Sequence, residues 1–323
     1  MLRDRLTIPR QGSKTPSSSR RADRWARYLT LTAASSILFL TLLYFLVLTR
    51  GSERTLTFGL GFIFGSKWDP VANVFGLAPE IYGSMLTSAI ALVIGVPVSI
   101  GVAVFLSELA PARLRAPVSF LVEMLAAVPS VVYGLWGLLV LAPFLQTDIY
   151  PTLGRYLSFL PLFQGRIYYT SFLTAGIVLA LMIVPIVSAI SRDVLLAVPQ
   201  SQREAAYALG ATRSEMVRMS VLSNARPGMV AAVFLGFGRA FGETMAVVML
   251  VGNSQTISAS LFSPGSTLAS LIATQYADAS TALEVSAVVE AGLVLLLVAM
   301  STCLVGRLLI RRFLRSKQAA LFQ

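Results

Sequence analysis

Six stretches of the chain are apolar over about 20 residues or more, the length that a helix needs to cross the roughly 30 Å hydrocarbon core of a bilayer. The composition agrees, because 56% of the residues are hydrophobic and 13% are charged, whereas a soluble domain has about 45–50% and about 25%. We therefore expect an all-α integral membrane protein with six transmembrane helices. The stretches are 28–49, 81–109, 117–143, 170–191, 227–251 and 284–306.

The distribution of basic residues predicts the orientation of these spans. The net charge is +11, from 26 Lys and Arg against 15 Asp and Glu. Twenty of the 26 lie in the two tails and in the second and fourth connections, five lie in the other connections, and one, Arg239, lies inside a span. Because positively charged loops stay in the cytoplasm, we expect both termini there. The charge therefore needs no nucleic-acid partner, which would call for a basic face or module.

The two ends of the chain differ from the spans in composition. Residues 1–27 are polar and rich in Ser, Arg and Pro, which is typical of a disordered basic cytoplasmic tail. Residues 311–323 are expected to form a second basic cytoplasmic tail. The apolar run at 28–49 is longer than the roughly 7–15 residues of a signal-peptide core, so we expect it to remain as the first transmembrane helix.

Missing residue types restrict the chemistry. The chain has no histidine and a single cysteine, Cys303. Histidine-based metal sites, Ser–His–Asp triads, internal disulfides and iron–sulfur clusters are therefore excluded, and we expect neither a metal nor a cofactor. The chain also lacks the phosphate-binding string Gly-x4-Gly-Lys-Ser/Thr, so it is not expected to hydrolyse ATP itself.

Residues 199–216 combine two helix-start signals with a glycine between them. Gly210 has the position of a residue just past a helix end. The pattern predicts two short helices that are joined at Gly210 and lie at the cytoplasmic surface. The helix starts are indicated by two pairs with capping-box spacing, Ser201 with Glu204 and Thr212 with Glu215.

The first of these helices carries a small apolar face formed by Ala205, Ala206 and Leu209. Such a face can dock into a groove on a partner protein. It can equally rest on the membrane surface as an interfacial amphipathic segment. The pattern alone leaves both possibilities open.

The string Glu204-Ala205-Ala206, followed by Gly210, resembles the EAA signature of the membrane subunits of bacterial ABC importers. We call residues 199–216 the EAA segment. In that family the segment is the coupling helix, which seats in a cleft of the ATPase subunit. The resemblance therefore implies that these four residues couple the chain to an ATPase.

The chain departs from that signature after the glycine. The usual pattern continues with Ile-x-Leu-Pro, of which the chain keeps Leu222. Ser220 stands in place of the isoleucine, Ser223 stands in place of the proline, and the next proline is Pro227. The departure concerns the entry into the fifth span and leaves the docking half of the motif intact.

Three further stretches, 125–137, 191–199 and 238–247, resemble the phosphate-specific permeases of these importers. Together with 260–267, the last stretch is more similar to the PstC family than to the PstA family with which it pairs. The resemblance covers roughly 80–310 and implies a type I ABC importer permease core with five transmembrane helices.

The resemblance also implies an activity and partners. The activity is ATP-driven uptake of inorganic phosphate across the bacterial plasma membrane. The assembly would contain this permease, a second PstA-like permease, two copies of a PstB-like ATPase and an extracytoplasmic PstS-like phosphate-binding protein.

Arg239 lies near the middle of the fifth predicted span, where a charge costs at least about 2.5–3.5 kcal/mol. Glu243 follows one helical turn later on the same face. The two residues can form a buried pair that fixes helix packing. Alternatively, Arg239 can bind an anion, because its guanidinium matches phosphate oxygens and stays charged. The resemblance favours Arg239 and Glu243 on the phosphate path, with phosphate competing with Glu243 for Arg239.

Other features of the spans give local expectations. Gly238 and Gly242 have the GxxxG spacing that lets helices approach closely, at an interface with the second permease or simply in a lipid-facing stretch. Glu108 ends the second span within reach of Arg113 or Arg115. Three prolines inside predicted spans are expected to kink them, namely Pro97, Pro129 and Pro185.

Three other functions remain open at this stage. The chain could be an ABC permease for another oxyanion, such as sulfate or molybdate. It could be a secondary carrier or channel that works without an ATPase. It could also be a membrane receptor or scaffold that uses the EAA segment only for docking.

Overall fold

The computed structural model describes residues 17–320, which fall into two compact units, one up to Val47 and one from Leu48 onwards. The described part of the first unit belongs to helix α1 (Ser17–Gly51). Its stretch Asp23–Gly51 is long and apolar enough to cross a membrane. The part of the predicted disordered tail from Ser17 to Arg27 is therefore helical, and residues 1–16 lie outside the described residues.

The second unit consists mainly of α-helices that are joined by loops. Two of its helices contain π-helical turns that matter below: Phe105–Leu109 ends α3, and Val217–Leu222 joins α8 to α9. The predicted basic tail from residue 311 continues α12, and residues 321–323 lie outside the described residues. The helices are α2 (Leu60–Phe64), α3 (Ala78–Leu109), α4 (Ala112–Ala127), α5 (Ser130–Tyr156), α6 (Phe172–Leu196), α7 (Gln200–Ala208), α8 (Arg213–Met216), α9 (Ser223–Phe241), α10 (Met245–Leu250), α11 (Leu268–Asp278) and α12 (Ala282–Ala320).

Five helical stretches among residues 17–320 are long and apolar enough to cross a membrane. They lie in α1, α3, α5, α6 and the Ala282–Leu308 part of α12. The all-α membrane architecture is thus confirmed. The first, second, fourth and sixth predicted spans agree with the structure to within several residues.

The third predicted span, 117–143, has the wrong bounds. The chain leaves the helical conformation at Val128 and Pro129, which separate α4 from α5, and α5 continues to Tyr156. Val128 is extended with ψ 127°, the conformation favoured before proline, and Pro129 has no N–H to donate. Pro129 therefore ends a helix instead of kinking one, whereas Pro97 and Pro185 lie inside α3 and α6.

The fifth predicted span, 227–251, is divided. Helix α9 ends at Phe241, and α10 begins only at Met245. The N–H of Gly242 still bonds to the carbonyl of Gly238 at 3.2 Å, after which the chain leaves the helix. Glycine has low helix propensity because it loses the most conformational freedom on folding, and this stretch carries several glycines.

The core is built on the contact between α3 and α6. Gly176 of α6 lies against Ile90 of α3, and a Cβ atom on the glycine would approach that side chain to 2.5 Å. Gly95 of α3 lies against Ile183 of α6, where the corresponding distance is 2.9 Å. On each helix, a glycine thus contacts a buried isoleucine of the other helix. The small glycines allow the two backbones to approach closely.

The connection from α10 to α11 folds back against the start of α3. Thr267 begins α11 with a capping box that includes Ser270. The N–H of Leu268 donates to Ser84 Oγ on α3 at 2.9 Å. Gly83 lies directly under Ser266, whose carbonyl oxygen would be 1.9 Å from a Cβ atom at position 83. The fold-back therefore depends on a glycine at this position.

We expect Gly83→Ala to lower the thermal unfolding midpoint of the purified protein in detergent. The added methyl group would push against the backbone at Ser266, and overpacking of this kind costs about 1–3 kcal/mol. Gly101→Ala on the same helix is the matched control, because nothing lies within 4 Å of its Cβ position. Equal midpoints for the two variants would contradict the close packing at Gly83.

Candidate functional site

Helix α7 of the EAA segment begins one turn after the end of α6. Pro199 is its N-cap residue, without a side-chain capping bond, and Gln200 is the first helical residue. The predicted capping box of Ser201 and Glu204 is therefore wrong. Proline supplies the start instead, because its backbone angle is fixed in a range compatible with a helix entry.

The predicted glycine turn at the end of α7 is confirmed. Gly210 has φ +81°, a conformation that favours glycine. Its N–H bonds to the carbonyl of Tyr207 at 2.9 Å, and the N–H of Ala211 bonds to the carbonyl of Ala206 at 3.1 Å. These two bonds form a Schellman motif, which satisfies the last carbonyls of the helix.

The second capping box is also confirmed. The side chain of Thr212 accepts the N–H of Glu215, and the Glu215 carboxylate accepts the Thr212 N–H at 2.8 Å and its hydroxyl at 2.7 Å. The hydroxyl bond and then the N–H bond lower the pKa of Glu215. The box is therefore intact at neutral pH and is lost as the pH falls through the lowered pKa.

The second helix of the EAA segment is not a short, separate element as predicted. Helix α8 runs through the π-helical turn Val217–Leu222 directly into α9. Ser220, which departs from the family signature, lies in this turn and donates a hydrogen bond to the carbonyl of Gln202 at 3.0 Å. The amide of Asn224 donates to the side chain of Gln202 and to the carbonyl of Ser220. The hydrogen bonds of Ser220 and Asn224 therefore link α7 to the start of α9.

The predicted apolar face of α7 is largely uncovered in this chain. Leu209 is 89% exposed and Ala205 is exposed, whereas Ala206 is half-buried and packs towards α6 and α8. A groove of about 600 Å³ lies between α7 and the α8–α9 entry. Its lining includes Ala205, Ala206, Leu209, Gly210 and Glu215. The structure thus brings four of the five proposed contact residues to one open groove, while Glu204 lies on the exposed surface of α7.

The sequence suggested that Glu108 pairs with Arg113 or Arg115, but it pairs with neither. Its carboxylate lies against Arg203 of α7, with Oε1 2.8 Å from Nη2 and Oε2 3.4 Å from Nε. Both side chains are largely buried, at 11% exposure for Arg203 and 7% for Glu108. The structure therefore adds to the EAA segment a charged contact that the sequence analysis missed.

Arg239 and Glu243 lie together at the end of α9. Their closest atoms, Nη2 and Oε2, are 3.5 Å apart. The Glu243 side chain is only 6% exposed, but the Arg239 side chain is 47% exposed. Gly238 and Gly242 are exposed on the same stretch, and none of the other helices among residues 17–320 is described within 4 Å of their Cβ positions. The Arg239 side chain is thus half-exposed and is paired with the nearly buried carboxylate of Glu243.

No metal centre competes with these sites in the part of the chain that the structure describes. Among residues 17–320, no group of three or more Asp, Glu, Cys or His side chains is placed to hold a metal ion.

Comparison with known proteins identifies the family. A family model described as "Binding-protein-dependent transport system inner membrane component" matches residues 95–316. The chain is also 42% identical over 288 residues to the phosphate transport system permease protein PstC of Mesorhizobium japonicum, covering 87% of this chain and 88% of that protein. The chain belongs to the PstC family of these membrane components.

Other PstC proteins match to a similar extent. The identity is 40% over 319 residues with PstC of Xylella fastidiosa, covering 96% of this chain and 98% of that protein. It is 44% over 260 residues with PstC of Pasteurella multocida, covering 79% and 81%. The family assignment and the apolar helices together make the chain an integral inner membrane protein.

Solved structures show the same fold as this PstC-family chain. A chain of the MetNI methionine ABC transporter, in an inward-facing conformation, matches with a TM-score of 0.53 and 21% identity. The match covers 76% of this chain and 99% of that chain. A second crystal form of the same transporter gives a TM-score of 0.50. The fold is therefore that of a type I ABC importer permease.

We expect Thr212→Val to accelerate hydrogen exchange at the start of α8, because the variant loses the hydroxyl of the capping box. A lost cap raises local opening by about fivefold, measurable by mass spectrometry on a peptide that contains Glu215. Thr212→Ser keeps the hydroxyl and is the matched control. The same exchange rate in all three proteins would show that the box contributes nothing to this segment.

Proposed function

We propose that this chain is a permease subunit of an ATP-driven importer that takes up inorganic phosphate across the bacterial plasma membrane. The proposal is supported by relatives at 40–44% identity that are named phosphate transport system permease proteins. Its partners would be a PstA-like second permease, two copies of a PstB-like ATPase and a PstS-like binding protein outside the membrane. The chain itself is non-catalytic, because ATP hydrolysis belongs to a separate subunit of such transporters.

The observation that supports a substrate site best is the half-exposed guanidinium of Arg239 beside the nearly buried Glu243. A guanidinium binds phosphate oxygens through two parallel hydrogen bonds and remains charged at any working pH. Without phosphate, the Glu243 carboxylate limits the free-energy cost of the Arg239 cation at this partly buried position. An arriving phosphate competes with the carboxylate, so its binding is weak and reversible, as transport requires.

The uncovered face around Arg239 is where we place the second permease. Gly238 and Gly242 would let a partner helix approach closely. Two permeases that meet at this face would enclose a path, with Arg239 facing it. The break in the helix at 242–244 lies on the same path.

The EAA segment supplies the connection to the ATPase. Leu209 and Ala205 would enter a cleft of the ATPase, with Glu204 and Gly210 beside them, and this side of the protein would face the cytoplasm with both termini. From Arg213 the chain continues through α8 and α9 to Phe241, a length of roughly 40 Å at 1.5 Å per residue. Closure of the ATPase dimer would thus act on the same helix that carries Arg239.

Reconstitution tests the proposal. Proteoliposomes that contain the full complex and internal ATP, with the binding protein added outside, should accumulate radiolabelled phosphate. Vesicles without the ATPase should not. Phosphate accumulation without the ATPase would contradict the pump and favour a secondary carrier. Inhibition by excess sulfate or molybdate would overturn phosphate as the specific substrate.

We expect Arg239→Lys to reduce ATP-dependent phosphate uptake by about tenfold or more. Lysine keeps the charge but loses the two-pronged contact, and each charge-assisted hydrogen bond is worth roughly 1.5–3 kcal/mol. Arg192→Lys is the matched control, because Arg192 forms ion pairs with the exposed side chains of Glu123 and Asp193 and has no contact with Arg239 or Glu243 among the ion pairs of the described residues. Unchanged uptake in Arg239→Lys would remove Arg239 from the substrate site.

We expect Leu209→Glu to abolish co-purification of the ATPase, because a charge would have to be buried in the docking cleft without a partner. Ser214→Glu, an exposed position in the first turn of α8 outside the groove, is the matched control and should retain the ATPase. If both variants bound the ATPase as well as the wild type, the EAA segment would not be the docking site.

A further inference from the structure

The Arg203–Glu108 pair is the strongest polar contact between the EAA segment and the rest of the chain. The carboxylate meets two nitrogens of the guanidinium, at 2.8 and 3.4 Å. Because both side chains are largely buried, water screens the pair weakly. Removing either partner would leave an unpaired charge in a place where it is costly.

Arg203 also binds the end of a third helix. Its guanidinium donates to the carbonyl of Leu195 at 2.9 Å and to the carbonyl of Val198. These carbonyls lie at the C-terminus of α6, where a helix presents unpaired acceptors and partial negative charge. One side chain therefore joins α7 to the ends of both α3 and α6.

The end of α3 receives two further arginines. Arg213 at the start of α8 donates to the carbonyl of Glu108, and Arg115 donates to the carbonyl of Ser107 at 3.3 Å. These carbonyls belong to the π-helical turn Phe105–Leu109, which would otherwise leave acceptors without partners. Both helices of the EAA segment are thus fixed to the same turn of α3.

The contact matters because α3 and α6 form the core of the unit. They pack on each other through Gly95 with Ile183 and Gly176 with Ile90. The covalent path from α7 to α9, in contrast, passes through the turn at Gly210. A displacement of α7 therefore reaches α3 through Arg203 without passing through that turn, and it reaches α6 both through Arg203 and through the short link at 197–199.

We infer that Arg203 and Glu108 are positioning residues that transmit the displacement of the EAA segment to α3 and α6, so that ATP hydrolysis is converted into phosphate transport. The inference rests on the proposed function. Its consequence is that loss of the pair uncouples the transporter, so that ATP is still hydrolysed but less phosphate is moved for each ATP.

The test uses the complete complex in proteoliposomes and compares Glu108→Gln and Arg203→Lys with the wild type. Three quantities are measured: the amount of assembled complex, the rate of ATP hydrolysis and the uptake of radiolabelled inorganic phosphate. We expect phosphate moved per ATP to fall by about tenfold in Glu108→Gln, because the variant loses a buried charge-assisted contact. Assembly and hydrolysis should stay within about twofold. Arg203→Lys keeps the charge with a single donor group and should be intermediate.

Glu123→Gln is the matched control. Glu123 also pairs with an arginine, at 3.4 Å, but its side chain is 54% exposed, and such pairs contribute little. The control should transport as the wild type does.

Two results would overturn the inference alone while the wild type transports. One is an unchanged ratio of phosphate to ATP in Glu108→Gln. The other is a parallel loss of assembly, hydrolysis and uptake in both variants, which would assign the pair a purely structural role. A wild-type complex without ATP-dependent uptake would overturn the proposed function, and the inference with it.

Discussion

The close approach of α3 and α6 is the contact on which the rest of the structure depends. Two helices in hydrocarbon gain little from burying apolar groups, since the lipid is equally apolar, so they associate through close packing. Here each helix offers a glycine to an isoleucine of the other, at Gly95 and Gly176. A side chain at either glycine would force the helices apart. The loop before α11 and the EAA segment are both attached to this pair.

The EAA segment adds charged contacts to an apolar core. Its apolar underside packs on the ends of α3 and α6. Arg203 pairs with the Glu108 carboxylate of α3 and donates to the carbonyl of Leu195 at the end of α6. The opposite side carries the exposed Leu209 and Ala205. The segment therefore has one face fixed to the core and one exposed face, which is the face that the proposed function assigns to the ATPase.

Arg239 lies on α9, which follows the EAA segment along the chain. It lies at the end of α9, one turn before the backbone leaves the helix. A cation at a helix C-terminus is favoured by the unpaired carbonyls there, and Glu243 adds a fixed negative charge. These two effects stabilise an arginine whose side chain is half-exposed at the end of α9. The Arg239 guanidinium is thus stabilised locally while its side chain stays 47% exposed.

Much of this arrangement could be predicted from the sequence. Apolar length alone located four of the spans, and short-range signals gave the turn at Gly210 and the capping box at Thr212, because both depend on residues within one helical turn. The pairing of Arg239 with Glu243 follows from their spacing in the same way. These features are encoded locally.

Other features could not be predicted, because they depend on long-range contacts. Whether Pro129 kinks or ends a helix depends on its neighbours, and the sequence favoured the wrong alternative. The partner of Glu108 is 95 positions away, whereas the expected partners, Arg113 and Arg115, are close to it in the sequence.

In the proposed function, a movement that starts at the EAA segment changes access to the face that carries Arg239. The most direct measurement is the modification rate of a single cysteine, Gly238→Cys in a Cys303→Ser chain, by a membrane-impermeant thiol reagent. Inverted vesicles with the complete complex would be compared without nucleotide and with the ATPase trapped in its ATP-bound state. We expect rapid modification of the cysteine without nucleotide and slow modification in the trapped state. Equal rates in the two states would contradict this expectation.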